Sequence, residues 1–283
     1  MATLWLVNGR STGVDPADRG LAYGDGLFET MAVSEGDIRH LDAHFERLAQ
    51  GCAQLEIPTP DLAALRQEIL AHCPTRGRAV VKLMLTRGPG TRGYRPPKDP
   101  KPTRIVGISE WPDYPATNYS AGIELRTLQG RLSENPRLAG IKHLNRLEQV
   151  LAQLELQNFG AQEGLLLDTG GRVVSGISSN VFAVHGKELV TPAITRCGVR
   201  GVMRRAVLEA AVDVGLDPIE RDVLPMELET ANEIFVTNAL FGIWPIARLD
   251  DRHLSFGAST RALMARLGIV THGVVDIQPG KVK

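Results

Sequence analysis

Cysteine is scarce in this sequence, and its placement excludes two kinds of scaffold. The 283 residues include three cysteines, Cys52, Cys73 and Cys197, which lie far apart and are odd in number. No CxxC spacing occurs, so neither a disulfide framework nor a zinc site is expected, and no metal ligand set is predicted. The cysteine content therefore indicates a reducing compartment.

The sequence also lacks a net charge and a long apolar run. Its 32 basic residues balance 32 acidic ones, which argues against nucleic acid or an anionic membrane surface as the main partner. No apolar stretch reaches the ~18 residues that a membrane span needs. No basic segment followed by an apolar run marks a signal peptide. We expect a cytoplasmic globular protein with one or two domains.

What is present is a mixture of short strands and amphipathic helices, which predicts an α+β fold. Residues 113–122 have few periodic features and are predicted to link a smaller domain, 1–112, to a larger one, 123–283. In the first domain we predict strands at 4–7, 27–33, 79–86 and 105–109, a helix that Asp42 caps, and a helix at 62–70. In the second we predict strands at 123–128, 164–167, 172–174, 180–184, 188–190, 233–237 and 244–248, and helices after Lys142, from 201 and at 256–266.

Lys142 is the first candidate for chemistry. Apolar residues recur after it at helical spacing, at positions 144, 147, 150, 151 and 154. A helix is therefore predicted to begin there, with Lys142 at its start and apolar neighbours before it. Desolvation and the positive end of a helix both lower the pKa of an amine. Such an amine can form a Schiff base or take up a proton, although position alone favours an ordinary surface lysine.

Two further features suit a phosphate group. A helix that begins at Gly201 offers backbone amides and a positive dipole end, and Arg47 can bind a phosphate through two hydrogen bonds. Each feature also has an ordinary explanation, since many helices begin with glycine and most helix arginines are solvated. A long loop at 87–97 is either functional or merely exposed. A lysine amine together with a phosphate-binding helix end suggests pyridoxal phosphate.

With these residues in place, the sequence resembles the fold-type-IV pyridoxal-phosphate enzymes over nearly the whole chain. The motifs that carry the resemblance occur in the family's order, at 18–20, 23–30, 44–48, 92–94, 140–149, 179–182 and 198–204. The run Lys-His-Leu-Asn-Arg-Leu-Glu-Gln at 142–149 is the most specific. It is similar to the run in the 4-amino-4-deoxychorismate lyases rather than to that of the branched-chain or D-amino-acid aminotransferases.

The resemblance implies a two-domain α+β fold like that of the D-amino-acid and branched-chain aminotransferases. In that family the enzyme is usually a homodimer with its site between the domains, near the partner. Lys142 would carry the cofactor and later move a proton, while Arg47 would bind the cofactor phosphate. The remaining implied contacts are the backbone amides of Val202 and Met203 at the phosphate, Thr237 and Asn238 near phosphate or substrate, Asn180 at the cofactor wall, and Phe28, Arg92, Tyr94 and Arg95 at the substrate.

The implied reaction is cleavage of 4-amino-4-deoxychorismate to 4-aminobenzoate and pyruvate, a step of folate synthesis. The resemblance also permits a D-amino-acid or branched-chain aminotransferase on the same fold. A third alternative, from a different class, is a cofactor-binding protein with little activity.

Ser175 departs from the family pattern. The family usually has a glutamate five residues before the Asn-hydrophobic-Phe triplet, where it keeps the pyridine nitrogen protonated, and this sequence has Ser175 there. A serine cannot stabilise a pyridinium by charge, so the ring would be a weaker electron sink. Three interpretations stay open: Ser175 hydrogen-bonds a neutral nitrogen, the chain has drifted to a slower or different reaction, or the register is shifted. Glu163 and Asp168 are too distant in sequence to be easy substitutes.

Overall fold

The computed structural model describes residues 3–269 of the chain. The protein folds into two compact units. The first ends at Pro112 and also contains Ile141–Arg146, and the second comprises Asp113–Gly140 and the chain from Leu147 onward. The predicted domain bounds stay a prediction, but the structure differs at one point. The segment with Lys142 packs in the first unit, whereas we assigned it to the second domain.

The first unit is built on an antiparallel sheet of five strands, in the order β1-β5-β4-β2-β3. Along β2, apolar Leu27, Met31 and Val33 alternate toward the buried side, where α2 contributes Phe45. The elements are β1 Leu4–Val7, α1 Arg19–Tyr23, β2 Gly26–Ser34, β3 Asp37–Ile38, α2 Leu41–Leu55, α3 Leu62–Leu70, β4 Arg78–Thr86 and β5 Thr103–Glu110.

The second unit is built on a mixed sheet of nine strands. Eight follow the order β11-β10-β9-β12-β13-β6-β7-β8, and β14 pairs with β13. Stacked Phe182 and Phe235 lie in its core, and α6 packs against β12. The elements are α4 Thr117–Ser120, β6 Ile123–Leu132, α5 Leu147–Leu156, β7 Glu163–Asp168, β8 Val173–Gly176, β9 Asn180–His185, β10 Glu188–Pro192, α6 Val202–Ala211, β11 Asp217–Arg221, α7 Pro225–Thr230, β12 Glu233–Asn238, β13 Gly242–Leu249, β14 Arg252–His253 and α8 Ala258–Arg266.

The structure confirms the α+β class and corrects several local predictions. Helix α2 begins at Leu41 after His40, so Asp42 lies in its first turn and is not its cap. The segment predicted as a linker contains α4, whose Tyr119 is buried in the core of the second unit. Strand β11 and helix α7 were not predicted. None of the helices between residues 3 and 269 is long and apolar enough to cross a membrane.

Candidate active site

Lys142 lies in an extended segment that runs along the edge of β2. The backbone N–H of Phe28 donates to the Lys142 carbonyl (2.9 Å), and Leu144 N–H donates to the Gly26 carbonyl (2.9 Å). These two hydrogen bonds fix the Lys142 backbone before any helix begins, because α5 starts only at Leu147. The predicted helix start at Lys142 was therefore wrong, and a helix dipole does not account for the properties of its amine.

Burial and neighbouring cations act on the Lys142 amine instead. The side chain is half-buried, and its Nζ lies 4.4 Å from the centroid of the Phe28 ring. Burial is the largest effect on its pKa, Arg47 adds to it, and together they lower the pKa of Lys142 to about 7 although Glu29 acts in the opposite direction. A large fraction of the amine is thus neutral near pH 7, which is the form that attacks a carbonyl or accepts a proton.

A buried carboxylate, Glu29, organises the cations beside this lysine. It accepts hydrogen bonds from His44 Nδ1 (2.6 Å) and Arg47 Nε (2.9 Å), and Arg47 Nη2 makes a second contact with it. Burial by itself raises the pKa of Glu29, but Arg47 and His44 outweigh it and hold that pKa at about 2. Burial lowers the pKa of His44, so its neutral ring donates through Nδ1. Glu29 and His44 were not predicted from the sequence, although a charged residue among the inward positions of β2 was a signal for them.

The second unit contains a helix N-terminus with the features of an anion site. Gly201 precedes α6 and no side chain caps the helix, so Val202 and Met203 begin it with their backbone N–H groups uncapped. Asn180 holds this end through a hydrogen bond from its Nδ2 to the Val199 carbonyl (2.9 Å). A Cβ at Gly201 would lie 2.1 Å from Asn180 Oδ1, so the close approach requires glycine.

Three other predicted residues of the second unit have their polar groups engaged within the protein. Thr237 donates its hydroxyl to the Gly242 carbonyl (2.5 Å), and Asn238 Oδ1 accepts from the N–H groups of Leu240 and Phe241. Ser175 is buried and donates its hydroxyl to the Gly176 carbonyl (2.8 Å). These contacts engage the hydroxyls of Thr237 and Ser175 and the amide oxygen of Asn238 within the second unit.

Glu163 is a buried carboxylate that the sequence analysis did not assign to the site. It accepts five hydrogen bonds, from the backbone N–H groups of Gly164, Ile177 and Ser178 and from the hydroxyls of Ser178 and Ser179. Burial raises its pKa, and these donors oppose the shift. Glu163 therefore fixes the turn that leads directly into Asn180. Its position in a strand of otherwise mostly apolar residues was the only signal in the sequence.

The predicted substrate loop is anchored within the first unit, and its side chains are exposed. Arg19, which is buried, donates through its guanidinium to the carbonyls of Gly93 (3.0 Å) and Tyr94 (3.0 Å) and pairs through Nε with Asp25 (2.8 Å). Arg92, Tyr94 and Arg95 are all exposed. The contacts that hold this loop thus lead to Arg19, not to Lys142.

The structure brings Lys142, Phe28 and Arg47 together in the first unit. In the second unit it brings together Asn180 and the first residues of α6.

Several known proteins are similar to this chain. The model of the family described as "Amino-transferase class IV" matches residues 26–249. Aminodeoxychorismate lyase of Vibrio harveyi is 32% identical over 269 residues, which cover 93% of this chain and 99% of that protein. A putative branched-chain-amino-acid aminotransferase of Methanocaldococcus jannaschii is 31% identical over 252 residues, covering 87% of this chain and 86% of that protein. The crystal structure of 4-amino-4-deoxychorismate lyase from Pseudomonas aeruginosa superposes with a TM-score of 0.89 at 49% identity, covering 93% of this chain and 98% of that one.

Proposed function

The chain belongs to the class IV aminotransferase family, and we propose that it is a lyase that converts 4-amino-4-deoxychorismate to 4-aminobenzoate and pyruvate. The observation that carries the proposal is Lys142, a lysine held beside an aromatic ring with a pKa of about 7. Such an amine can act as both nucleophile and proton carrier. Aminodeoxychorismate lyases are among the similar proteins, and the run at 142–149 has the lyase form.

Enzymes of this family use pyridoxal phosphate, and residues in both units have the donor chemistry that it needs. Lys142 would hold its carbonyl carbon, and Arg47 with the backbone amides of Val202 and Met203 would hold its phosphate. Asn180 would keep the end of α6 in place. When bound, the cofactor supplies an electron sink for the carbon that bears the substrate amine.

In this proposal the protein's own residues provide binding and proton transfer. As a free amine, Lys142 would remove the proton from the amine-bearing carbon of the substrate. The positive charges of Arg47 and Arg146 disfavour protonation of the Lys142 amine, which keeps a neutral fraction available. Release of pyruvate needs a proton at the leaving group, and the new aromatic ring makes that release favourable. Phe28, Arg92, Tyr94 and Arg95 are the candidates for substrate contact, and Thr237 and Asn238 would lie near the phosphate or the substrate.

Ser175 distinguishes this chain from the family pattern. Its hydroxyl already donates to the Gly176 carbonyl, so toward a ring nitrogen it can offer only an oxygen lone pair or a rearranged hydrogen bond. We propose that the cofactor nitrogen is not held by an acid here, and that the gain of an aromatic ring in the product lets the reaction tolerate a weaker electron sink.

We further propose that the protein works as a homodimer in the cytoplasm. Four apolar side chains of α5, at Leu147, Val150, Leu151 and Leu154, are more than half exposed in the single chain. A stripe of this kind supports burial against a second copy. The three cysteines are unpaired, which agrees with a reducing compartment.

One assay of the purified protein tests the function. We expect 4-aminobenzoate and pyruvate to form in equal amounts from 4-amino-4-deoxychorismate after loading with pyridoxal phosphate. Borohydride should fix the cofactor on Lys142 and on no other lysine. Transfer of the amino group to a 2-oxo acid, without aminobenzoate, would instead identify an aminotransferase. Cofactor binding without either product would identify the weakly active protein.

A further inference from the structure

A second lysine lies over the same aromatic ring as Lys142. The Nζ of Lys82 is 5.7 Å from the Phe28 ring centroid, and that of Lys142 is 4.4 Å from it. The two amines are therefore within about 10 Å of each other. Lys82 pairs across the sheet with Thr30, and Phe28 pairs with Met84, so all four side chains share the face of the sheet opposite Glu29.

Lys82 differs from the neighbouring cations in its charge environment. Two of the other cations in the first unit have acidic partners, Arg47 in Glu29 and Arg87 in Asp25. Lys82 is exposed and forms no ion pair with any residue in the described part of the chain. Its cation–π contact with Phe28 is weak for an exposed amine. A lysine is also a poor choice for the middle of a strand, where β-branched and aromatic residues pack better.

The separation that the Phe28 ring allows between the two amines, up to about 10 Å, is long enough to span the substrate from its amine to a carboxylate. In 4-amino-4-deoxychorismate the ring carboxylate lies across the six-membered ring from the reacting amine, roughly 6 Å away. A hydrogen bond from that carboxylate to an ammonium adds roughly 3 Å. The total is within the separation that Phe28 allows for Lys142 and Lys82.

We propose that Lys82 binds a carboxylate of the substrate and so selects dicarboxylic amines over simple amino acids. The inference rests on the proposed function, because it takes Lys142 as the residue that exchanges with the substrate amine. Lys82 is then a specificity-determining residue. It also acts on Lys142 directly, since its positive charge contributes to the lowered pKa of that amine.

The test compares three variants of the loaded enzyme. Lys82→Met keeps the aliphatic chain and removes the charge, and Lys82→Arg keeps the charge. Lys187→Met removes one charge from the exposed turn between β9 and β10 of the second unit. We expect Lys82→Met to raise KM for 4-amino-4-deoxychorismate roughly 10-fold or more with a smaller change in kcat, since a charge-assisted hydrogen bond is lost. The KM of Lys82→Arg should stay within about 3-fold of that of wild type, and the KM of Lys187→Met should equal that of wild type.

A binding measurement separates this inference from the proposed function. Chorismate carries both carboxylates and has a hydroxyl in place of the amine, so it occupies the site without reacting. We expect calorimetry to show weaker chorismate binding to Lys82→Met than to wild type. Chorismate affinity that is equal in the two proteins, or absent from both, overturns the inference about Lys82. Failure of the wild type to form aminobenzoate overturns the proposed function, while the chorismate comparison still decides on Lys82.

The Lys142 amine gives a readout that a merely structural role of Lys82 would not move. The charged and titratable groups that act on it are Arg47, Glu29, Arg146, His44 and Lys82. Among these groups Lys82→Met changes only Lys82, and the loss of this positive neighbour raises the pKa of Lys142. The pH dependence of cofactor uptake by the apoprotein should therefore shift to higher pH in Lys82→Met and stay in place in Lys82→Arg. An unshifted profile in Lys82→Met would also count against the proposal.

Discussion

Glu29 carries a negative charge in a place that water does not reach. Its charge persists because His44 and Arg47 donate to both carboxylate oxygens. A carboxylate buried without them would cost several kcal/mol and would take up a proton instead. Glu29 in turn fixes the position of Arg47, the residue proposed to bind the cofactor phosphate. The geometry of this candidate phosphate contact thus depends on a residue that would not itself touch the cofactor.

Replacing Glu29 by glutamine should make the protein less stable in a pH-dependent way. The folded pKa of Glu29, about 2, lies below its ordinary value of 4.5. The stabilisation that ionised Glu29 gives the folded state is therefore complete at pH values above 4.5 and is lost as the pH falls toward 2. It amounts to on the order of 3 kcal/mol of unfolding free energy. Urea unfolding should show a large loss for Glu29→Gln at pH 7 and a smaller one at pH 3. Glu209→Gln, at an exposed ion pair with Arg205, serves as the control and should change little. A loss for Glu29→Gln that is equal at both pH values would contradict this account.

Ser175 gives a prediction about charge at the proposed ring nitrogen. In the apoprotein a glutamate at this buried position would lose hydration without gaining an ion pair, so Ser175→Glu should lower the apoprotein's melting temperature. Pyridoxal phosphate would supply a protonated nitrogen as partner, a contact worth about 1.5–3 kcal/mol. Added cofactor should therefore raise the melting temperature of Ser175→Glu more than that of wild type, and turnover should rise by up to roughly 100-fold.

Ser175→Gln is the matched control, because it adds the same bulk without the charge. Ser175→Gln should lower the melting temperature of the apoprotein as Ser175→Glu does. Added cofactor should not raise the melting temperature of Ser175→Gln more than that of wild type. If Ser175→Glu and Ser175→Gln respond to the cofactor alike, residue 175 does not face the ring nitrogen. If Ser175→Glu gains stability with the cofactor but loses turnover, the site has adapted to a neutral ring.

At the scale of the elements, one contact that holds the start of α6 is the hydrogen bond from Asn180 to the Val199 carbonyl. Gly201 has an ordinary φ of −64°, so alanine there is not strained in its backbone. Its Cβ would nevertheless meet Asn180 Oδ1 at 2.1 Å, and Asn180 must then move away from the Val199 carbonyl. We expect Gly201→Ala to cost about 1–3 kcal/mol of stability and to weaken cofactor binding roughly 10-fold, as measured by dialysis against pyridoxal phosphate.

Two further variants isolate that contact. Gly130→Ala in β6 meets only a flexible side-chain oxygen of Glu155 at 3.4 Å and should leave cofactor binding unchanged. Asn180→Ala combined with Gly201→Ala keeps the added Cβ but removes the amide that it would meet, so the double variant should be no worse than Asn180→Ala alone. A double variant in which the two losses simply add would show that the clash is not the cause.

The periodicity of the sequence predicted most of these elements because apolar alternation and helical spacing are local signals. Helix α3 and strands β1 and β12 were found close to their observed bounds. Strand β11 was missed because it pairs in parallel with β10 at an edge and is largely exposed, so it carries no alternation. The start of α5 was misplaced because residues 142–144 pair with β2, a contact that local spacing cannot reveal.

The site itself was predicted in part, and the reason is again locality. The importance of Lys142 was clear from its motif, but its lowered pKa arises from burial and from Arg47, which is 95 residues away in the chain. Glu29, His44 and Lys82 entered only with the structure, because each acts through contacts across the sheet or between sheet and helix. Such contacts are set by tertiary packing, on which helix and strand periodicity give no information.

At the scale of the whole molecule, α5 exposes the face that its sequence pattern would place inside. Leu147, Val150, Leu151 and Leu154 recur at the i, i+3, i+4 and i+7 positions of one face and are 53–69% exposed, while Ala152 and Leu156 are buried. A side chain such as Leu151 gains about 1.5–3 kcal/mol when it is fully buried. Several such side chains together provide a driving force for association that one chain alone does not use.

This exposed face predicts how the proposed homodimer can be broken. Leu151→Glu places a charge at the centre of the stripe, and its burial in an interface would cost several kcal/mol. We expect wild type to sediment as a dimer at micromolar concentration and Leu151→Glu to sediment as a folded monomer with an unchanged far-UV spectrum. Met226→Glu in α7, where an exposed apolar residue lies outside the stripe, should remain dimeric. A monomeric wild type would refute the dimer, whereas a dimeric Leu151→Glu would show that the two copies meet through another surface.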